Sequence, residues 1–190
     1  MRAVYALLIP ALWAAWIAGW CMAALVSKPV RRRESVVSRL THLVPLGIGA
    51  ALLAWPRSGR PIPDQLLFSR TATGFWLGTV LLVAGLGVTI AARVHLGGNW
   101  SGTVTLKHDH TLTLGGPYRW VRHPIYSGLL LAVLGSAVAG AEWRAFVGAG
   151  LITAAFLRKI RIEERFLAEQ FGPAYDRYRQ EVAALIPGVI

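Results

Sequence analysis

Five apolar runs dominate this chain, at about residues 3–26, 42–55, 73–92, 125–140 and 143–157. No other feature constrains the fold so strongly. A backbone crossing lipid must satisfy its own N–H and C=O groups, and a helix does so within one segment. Composition agrees, with 55% of the 190 residues hydrophobic and only 15% charged. That balance excludes an ordinary soluble domain. The net charge of +11 lies in the gaps between the runs rather than in a separate basic module. It reads as membrane-surface charge, and nucleic acid is not an expected partner. The lone cysteine, Cys21, permits neither an internal disulfide nor a cysteine metal site.

The fold expected is an all-α, multi-pass integral membrane protein forming one domain over 1–190. About five spans are expected, three of them with their connectors in 1–93. The first run has no small-residue cleavage site after it and is expected to stay as a span. Its Trp13, Trp16 and Trp20 share one helix face, suited to packing or to an interfacial belt. The second run is short and contains Pro45, which implies tilt, shortening or extension into the loop. In the third, Gly85 and Gly87 lack the rest of a dinucleotide fingerprint, so no Rossmann fold is expected and these glycines read as sites of close helix approach. The last two runs are separated only by residues 140–142, which implies a helical hairpin. A charged helix over 158–182 follows, broken near Gly172-Pro173. Between the third and fourth runs, TVTL (103–106) and TLTL (111–114) alternate in polarity and read as a small hairpin or an extended interfacial segment.

Basic residues set the orientation. Lys28, Arg31, Arg32, Arg33 and Arg39 follow the first run. Arg93, Lys107, Arg119 and Arg122 follow the third, and Arg158, Lys159 and Arg161 follow the fifth. The alternate connectors carry Arg57, Arg60, Arg70 and Arg144. The excess places the 94–124 break and the C-terminal helix together on the cytoplasmic side.

The chemistry concentrates in GGPYRWVRHPIYSG, residues 115–128. Pro124 suits the first turn of a helix, leaving His123 at its cap and Tyr126 and Gly128 just inside. Such an N-terminus presents unpaired N–H groups to an anion. Glu163 and Glu164 offer the opposite sign. Two plainer readings stand beside this one. Lys159–Glu163 and Arg161–Glu164 have the spacing of surface ion pairs, and Arg119 and Arg122 have the character of headgroup anchors. His108-Asp109-His110 reads as a solvated turn rather than a metal site. From the residues alone, the chain holds a polar pocket for something zwitterionic at a membrane face.

The joint pattern of LGGNWSG (96–102), GPYRWVRHPIYSG (116–128), RIEERFLAEQFGPAYDRYRQEV (161–182) and IPG (186–188) resembles the isoprenylcysteine carboxyl methyltransferase family. Members are integral-membrane enzymes that use S-adenosylmethionine. The resemblance covers about the C-terminal half and implies a cofactor-binding core over 94–190. It implies cofactor contacts from Thr113, Leu114, Tyr118, His123, Pro124, Tyr126, Gly128, Glu163 and Glu164, with an acid taking the methionyl ammonium and Glu164 suited to that task. Arg158 and Arg122 are the expected catalytic arginines, Arg158 near the methyl acceptor and Arg122, with the helix N-terminus, suited to the cofactor's carboxylate. The activity implied is methyl transfer to a lipophilic acceptor, a membrane lipid or lipidated substrate. A carboxylate is favoured because it needs no general base. Phospholipid amines and small thiols are the alternatives within the family. A non-catalytic lipid-binding protein is the alternative outside it.

Overall fold

A computed structural model describes residues 2–25, 30–54, 66–100, 105–107 and 112–189. Lys28, Arg57, Arg60 and the 108–110 turn lie outside these residues. The fold is helical, with α1 at Arg2–Ala24, α2 at Val36–Ala54, α3 at Ala72–Leu96, α4 at Pro124–Gly140, α5 at Trp143–Phe171 and α6 at Pro173–Glu181. Helices α1, α2 and α3 are long and apolar enough to cross a membrane. Helix α4 is apolar but shorter, and by a rise of 1.5 Å per residue α5 extends about 43 Å.

Each start has a local cause. Ser35 caps α2, its hydroxyl accepting from the Ser38 N–H at 3.2 Å. The helix therefore begins six residues before the apolar run that marks it in the sequence. Thr71 caps α3 through Gly74 at 3.0 Å. Between α4 and α5, Ala141 takes the left-handed conformation at φ 57° and ends α4, and Glu142 precedes α5, its carbonyl accepting from the Ala145 N–H at 2.9 Å. Helix α5 runs unbroken from its apolar half into its charged half, so no separate helix begins at residue 158. It stops at Gly172, φ 51°, ahead of Pro173.

The helices pack mainly as two antiparallel pairs, α3 with α4 and α2 with α5. Glycines permit the approach. A Cβ on Gly128 falls 2.5 Å from Gly85 O, and one on Gly135 falls 2.5 Å from Gly78 O. On the other pair, a Cβ on Gly49 falls 2.6 Å from Gly148 O. Gly85 thus faces a neighbour, whereas Gly87 faces open space. Helix α1 docks by its tryptophan face. Trp13 donates to Ser136 Oγ at 3.0 Å, Trp16 donates to Thr89 Oγ1 at 2.7 Å, and Trp20 stacks on Trp16 and meets Trp100 edge-on.

Two polar ends flank this apolar middle. At one, Glu142 is buried between Arg70 and Arg144. Arg144 also donates to Leu52 O at 2.6 Å, and Arg70 donates to Gly140 O at 2.9 Å. Both arginines thus occupy helix C-termini, where carbonyls lack partners. At the other end, strand β1 (Val30–Arg33) pairs antiparallel with β2 (Thr105–Lys107). Thr105–Lys107 thus pairs with the loop after α1, and residues 103–104 and 108–111 of the expected hairpin lie outside the described residues. The 94–124 break and the charged half of α5 meet at this same end.

Gly85→Ala should lower unfolding stability in detergent by about 1–3 kcal/mol, because backbone atoms of α4 occupy the space. Gly87→Ala should leave stability unchanged or raise it by up to about 1 kcal/mol. Equal losses in the two variants would contradict the crossing.

Candidate active site

The site is built on the start of α4. Gly116 opens a 3-10 turn at φ 58°, and a Cβ there would run into the His95 ring. The turn spans Gly116–Arg119 and leads through Val121 and Arg122 to His123. Pro124 occupies the first position of α4 and is fully buried. The first turn beyond it contributes N–H groups without partners inside the helix.

The tail after α6 runs alongside this turn. Val121 bridges Ala183 in parallel. The Arg122 N–H donates to Ala183 O at 2.8 Å, and the His123 N–H donates to Ala184 O at 3.0 Å. Ser127 Oγ donates to Leu185 O at 2.6 Å, and Tyr178 OH donates to Tyr118 O at 2.6 Å. Burial raises the pKa of both phenols, that of Tyr178 to about 12, with the charge of Glu163 adding to the effect at Tyr118.

The acids of α5 meet the turn from the other side. Arg122 Nε donates to Glu164 Oε1 at 2.9 Å, and His123 Nε2 lies 3.2 Å from the same oxygen. Arg122 Nη1 also donates to Arg179 O at 2.9 Å and to Val182 O. Tyr126 OH donates to Glu163 Oε1 at 2.5 Å, and His123 Nδ1 lies 3.8 Å from Glu163 Oε2. Lys159 Nζ sits 5.5 Å from the Tyr126 ring centre. Burial acts to raise the Glu164 pKa, but the hydrogen bond and charge of His123 and the Arg122 guanidinium outweigh it and hold the carboxyl down at about 2.

The expected residues divide accordingly. Arg122, His123, Pro124, Tyr126, Glu163 and Glu164 form one cluster, with Tyr118 buried beside it. Gly128 turns its bare face to Gly85 on α3, so what it meets is a helix. Thr113 is partly buried and Leu114 exposed, on the stretch leading into the 3-10 turn. Arg158 faces α2 instead, its Nε donating to Thr41 Oγ1. The two arginines are therefore not together: Arg122 holds the turn and tail, and Arg158 stands on the α2 side of α5. Arg119 lies 4.6 Å from the exposed Trp120 ring, as suits an interfacial anchor. Ser127, Tyr178 and the tail carbonyls were not singled out by sequence reasoning. Tyr178 lies within the 161–182 segment that carries the resemblance and was open to discovery, but a backbone carbonyl leaves no trace in sequence.

The phospholipid methyltransferase family profile matches residues 73–174, more than half of the chain. The chain belongs to that family. The matched segment holds the turn, α4 and both acids. Similar proteins include a protein-S-isoprenylcysteine O-methyltransferase of Dictyostelium discoideum, 29% identical over 63% of this chain and 52% of that one. Methanethiol S-methyltransferase 1 of Bradyrhizobium diazoefficiens is 40% identical over 37% of this chain and 24% of its own. The chain spans about half the length of the first curated relatives it matches. Its fold resembles that of a eukaryotic intramembrane Ras methyltransferase, isoprenylcysteine carboxyl methyltransferase, with a TM-score of 0.54. That likeness covers 80% of this chain and 52% of the other at 24% identity.

The Glu164 pairing has a defined pH signature. Its folded pKa lies below the ordinary 4.5, so its stabilisation is complete above about pH 4.5 and is lost as pH falls through about 2. Unfolding stability of Glu164→Gln should therefore fall less steeply than wild type across that window. Parallel acid limbs would contradict the pairing.

Proposed function

We propose that this protein transfers a methyl group from S-adenosylmethionine to a lipophilic acceptor. The observation that carries the reading is the start of α4 at His123–Pro124, without a side-chain cap, held against the paired acids of α5 and strapped by the 182–185 tail. The chemistry of this donor set fits the methyl donor, which has a carboxylate, an ammonium and a sulfonium. The first-turn N–H groups of α4 suit the carboxylate. Glu164 is already neutralised by Arg122, so the ammonium falls to Glu163, the more exposed of the two acids. The Tyr126 and Tyr118 rings supply π faces for a sulfonium. Thr113 and Leu114 cover the adenosyl end.

When bound, the donor supplies an activated methyl carbon. The chain then has to position the partners, exclude water and hold the acceptor's attacking atom in line. Arg158 serves the acceptor, and its contact with Thr41 supports an acceptor site between α2 and α5. A carboxylate acceptor is already an anion at neutral pH and needs no base to attack. The Dictyostelium relative's name supplies that class, and the Bradyrhizobium relative's name supplies a thiol. In this reading α4 and the apolar half of α5 also span the bilayer, giving five spans in a single domain. The donor site, within 94–190, faces the cytoplasm, and a lipid or lipidated acceptor arrives from the bilayer.

Calorimetry of S-adenosylhomocysteine with detergent-purified protein tests this. Wild type should bind. Glu163→Gln should weaken binding roughly tenfold to a hundredfold, the worth of one hydrogen bond to a charged group, without loss of thermal stability. Glu164→Gln should lose binding and stability together. Absence of binding by folded wild type would favour the non-catalytic, lipid-binding reading.

A further inference from the structure

A second polar cluster lies outside the segment matched by the family profile. Glu34 and His42 are 7% and 2% exposed. His42 Nε2 stands 3.4 Å from Glu34 Oε1, and Ser38 Oγ donates to Glu34 Oε2 at 3.0 Å. With the Nε2 proton directed to Glu34, His42 Nδ1 carries a bare lone pair. That atom is buried and has no hydrogen-bond partner, and neither has Glu34 Oε1, so the carboxylate favours the Nε2–H tautomer by charge across 3.4 Å rather than through a formed hydrogen bond. A buried acceptor left unsatisfied is costly, so the site favours a ligand that brings it a hydrogen.

The neighbourhood says which ligand. Thr41, next in the chain, takes the Arg158 hydrogen bond. One turn on, Leu46 packs into the cluster of Tyr126, Phe156 and Ile160. Glu34, Lys159, Arg158 and Glu163 are all close enough for their charges to act on His42, and Arg39 lies one turn away on the same helix. His42 therefore stands where α2 meets the Arg158 side of α5, the side assigned above to the acceptor. Arg158 and Lys159 oppose an incoming ammonium. A carboxylate brings no proton for Nδ1. A thiol meets both conditions, because it arrives neutral with an S–H to donate and becomes an anion that two cations stabilise.

We propose that His42, oriented by Glu34, accepts the proton of a long-chain thiol, which this protein methylates on sulfur. This role rests on the methyl-transfer reading above. The S–H bond breaks and its proton passes to His42 Nδ1. The sulfur lone pair forms the new bond to the methyl carbon. The bond from that carbon to the donor sulfonium breaks, its electron pair staying on the donor sulfur, which becomes a neutral thioether. The imidazolium, balanced by Glu34, later returns its proton to water.

The test uses labelled methyl donor with dodecanethiol and dodecanoate, and S-adenosylhomocysteine calorimetry as the check on folding. His42→Asn should cut thiol methylation about a hundredfold or more, the usual worth of a proton acceptor. It should leave donor affinity and any dodecanoate methylation within twofold. Glu34→Gln should reduce thiol methylation and spare the same two quantities. Independently of turnover, the His42 imidazole nitrogen resonance, identified by its absence from His42→Asn, should shift when dodecanethiol is added to wild type. Unchanged thiol turnover in His42→Asn, no shift on thiol addition, or wild type that binds the donor product but spares thiols would each overturn the role of His42. Failure of wild type to bind S-adenosylhomocysteine would overturn the methyl-transfer reading and this role with it.

Discussion

Close approach of helix backbones at glycine is the constraint on which the rest of this molecule depends. Lipid tails are as apolar as leucine, so burying apolar side chains gives membrane helices little reason to associate. Dispersion between backbones supplies the attraction, and it operates only where no Cβ intervenes. Here the glycines come in facing sets, Gly78 with Gly135, Gly85 with Gly128, and Gly49 with Gly148. The crossing at Gly128 lies little more than a turn from His123. It fixes where α4 begins relative to α3, and so where the Arg122–His123 turn is presented. Packing in the membrane and chemistry at its surface are set by one contact.

Charge is confined to the two ends, and arginine does similar work at each. Arg144 and Arg70 take the terminal carbonyls of α2 and α4, with Glu142 balancing them. Arg93 takes Gly97 O and Ala23 O at 2.6 Å each, closing α3 and α1. Arg122 takes carbonyls of α6 and the tail while pairing with Glu164. A planar fork with five donors can satisfy several carbonyls at once, which a lysine cannot. At the functional end the same habit leaves Glu163 the more open acid, because Glu164 is consumed in construction.

What the sequence made legible follows from what it encodes locally. Apolar runs, the Pro124 helix start, the tryptophan face of α1 and the Gly172 break all act through near neighbours, and the structure shows each of them. The Arg-His-Pro turn and the two acids were legible by pattern. Their division of labour was not, since nothing in spacing says that Arg122 will reach Glu164 across forty-two positions. Helix α2 extends beyond its apolar run, one of the expected outcomes; Ser38, Arg39 and Thr41 interrupt the apolar residues between Val36 and Thr41, and the Ser35 cap sets the start. The continuity of α5 past residue 158 was hidden by its change of solvent, which alters hydropathy without altering helix propensity. Thr105–Lys107 pairs with a distant strand, and pattern alone does not choose a partner.

The strap between the Arg122–His123 turn and residues 182–185 has a consequence for biosynthesis. The turn leaves the ribosome early, but its backbone partners follow some sixty residues later. In between, α4 and α5 are made and pack against α3 and α2. Membrane integration and completion of the site are thus separate events in time. A chain halted before residue 182 would hold its place in the bilayer with its helices packed and its site still open.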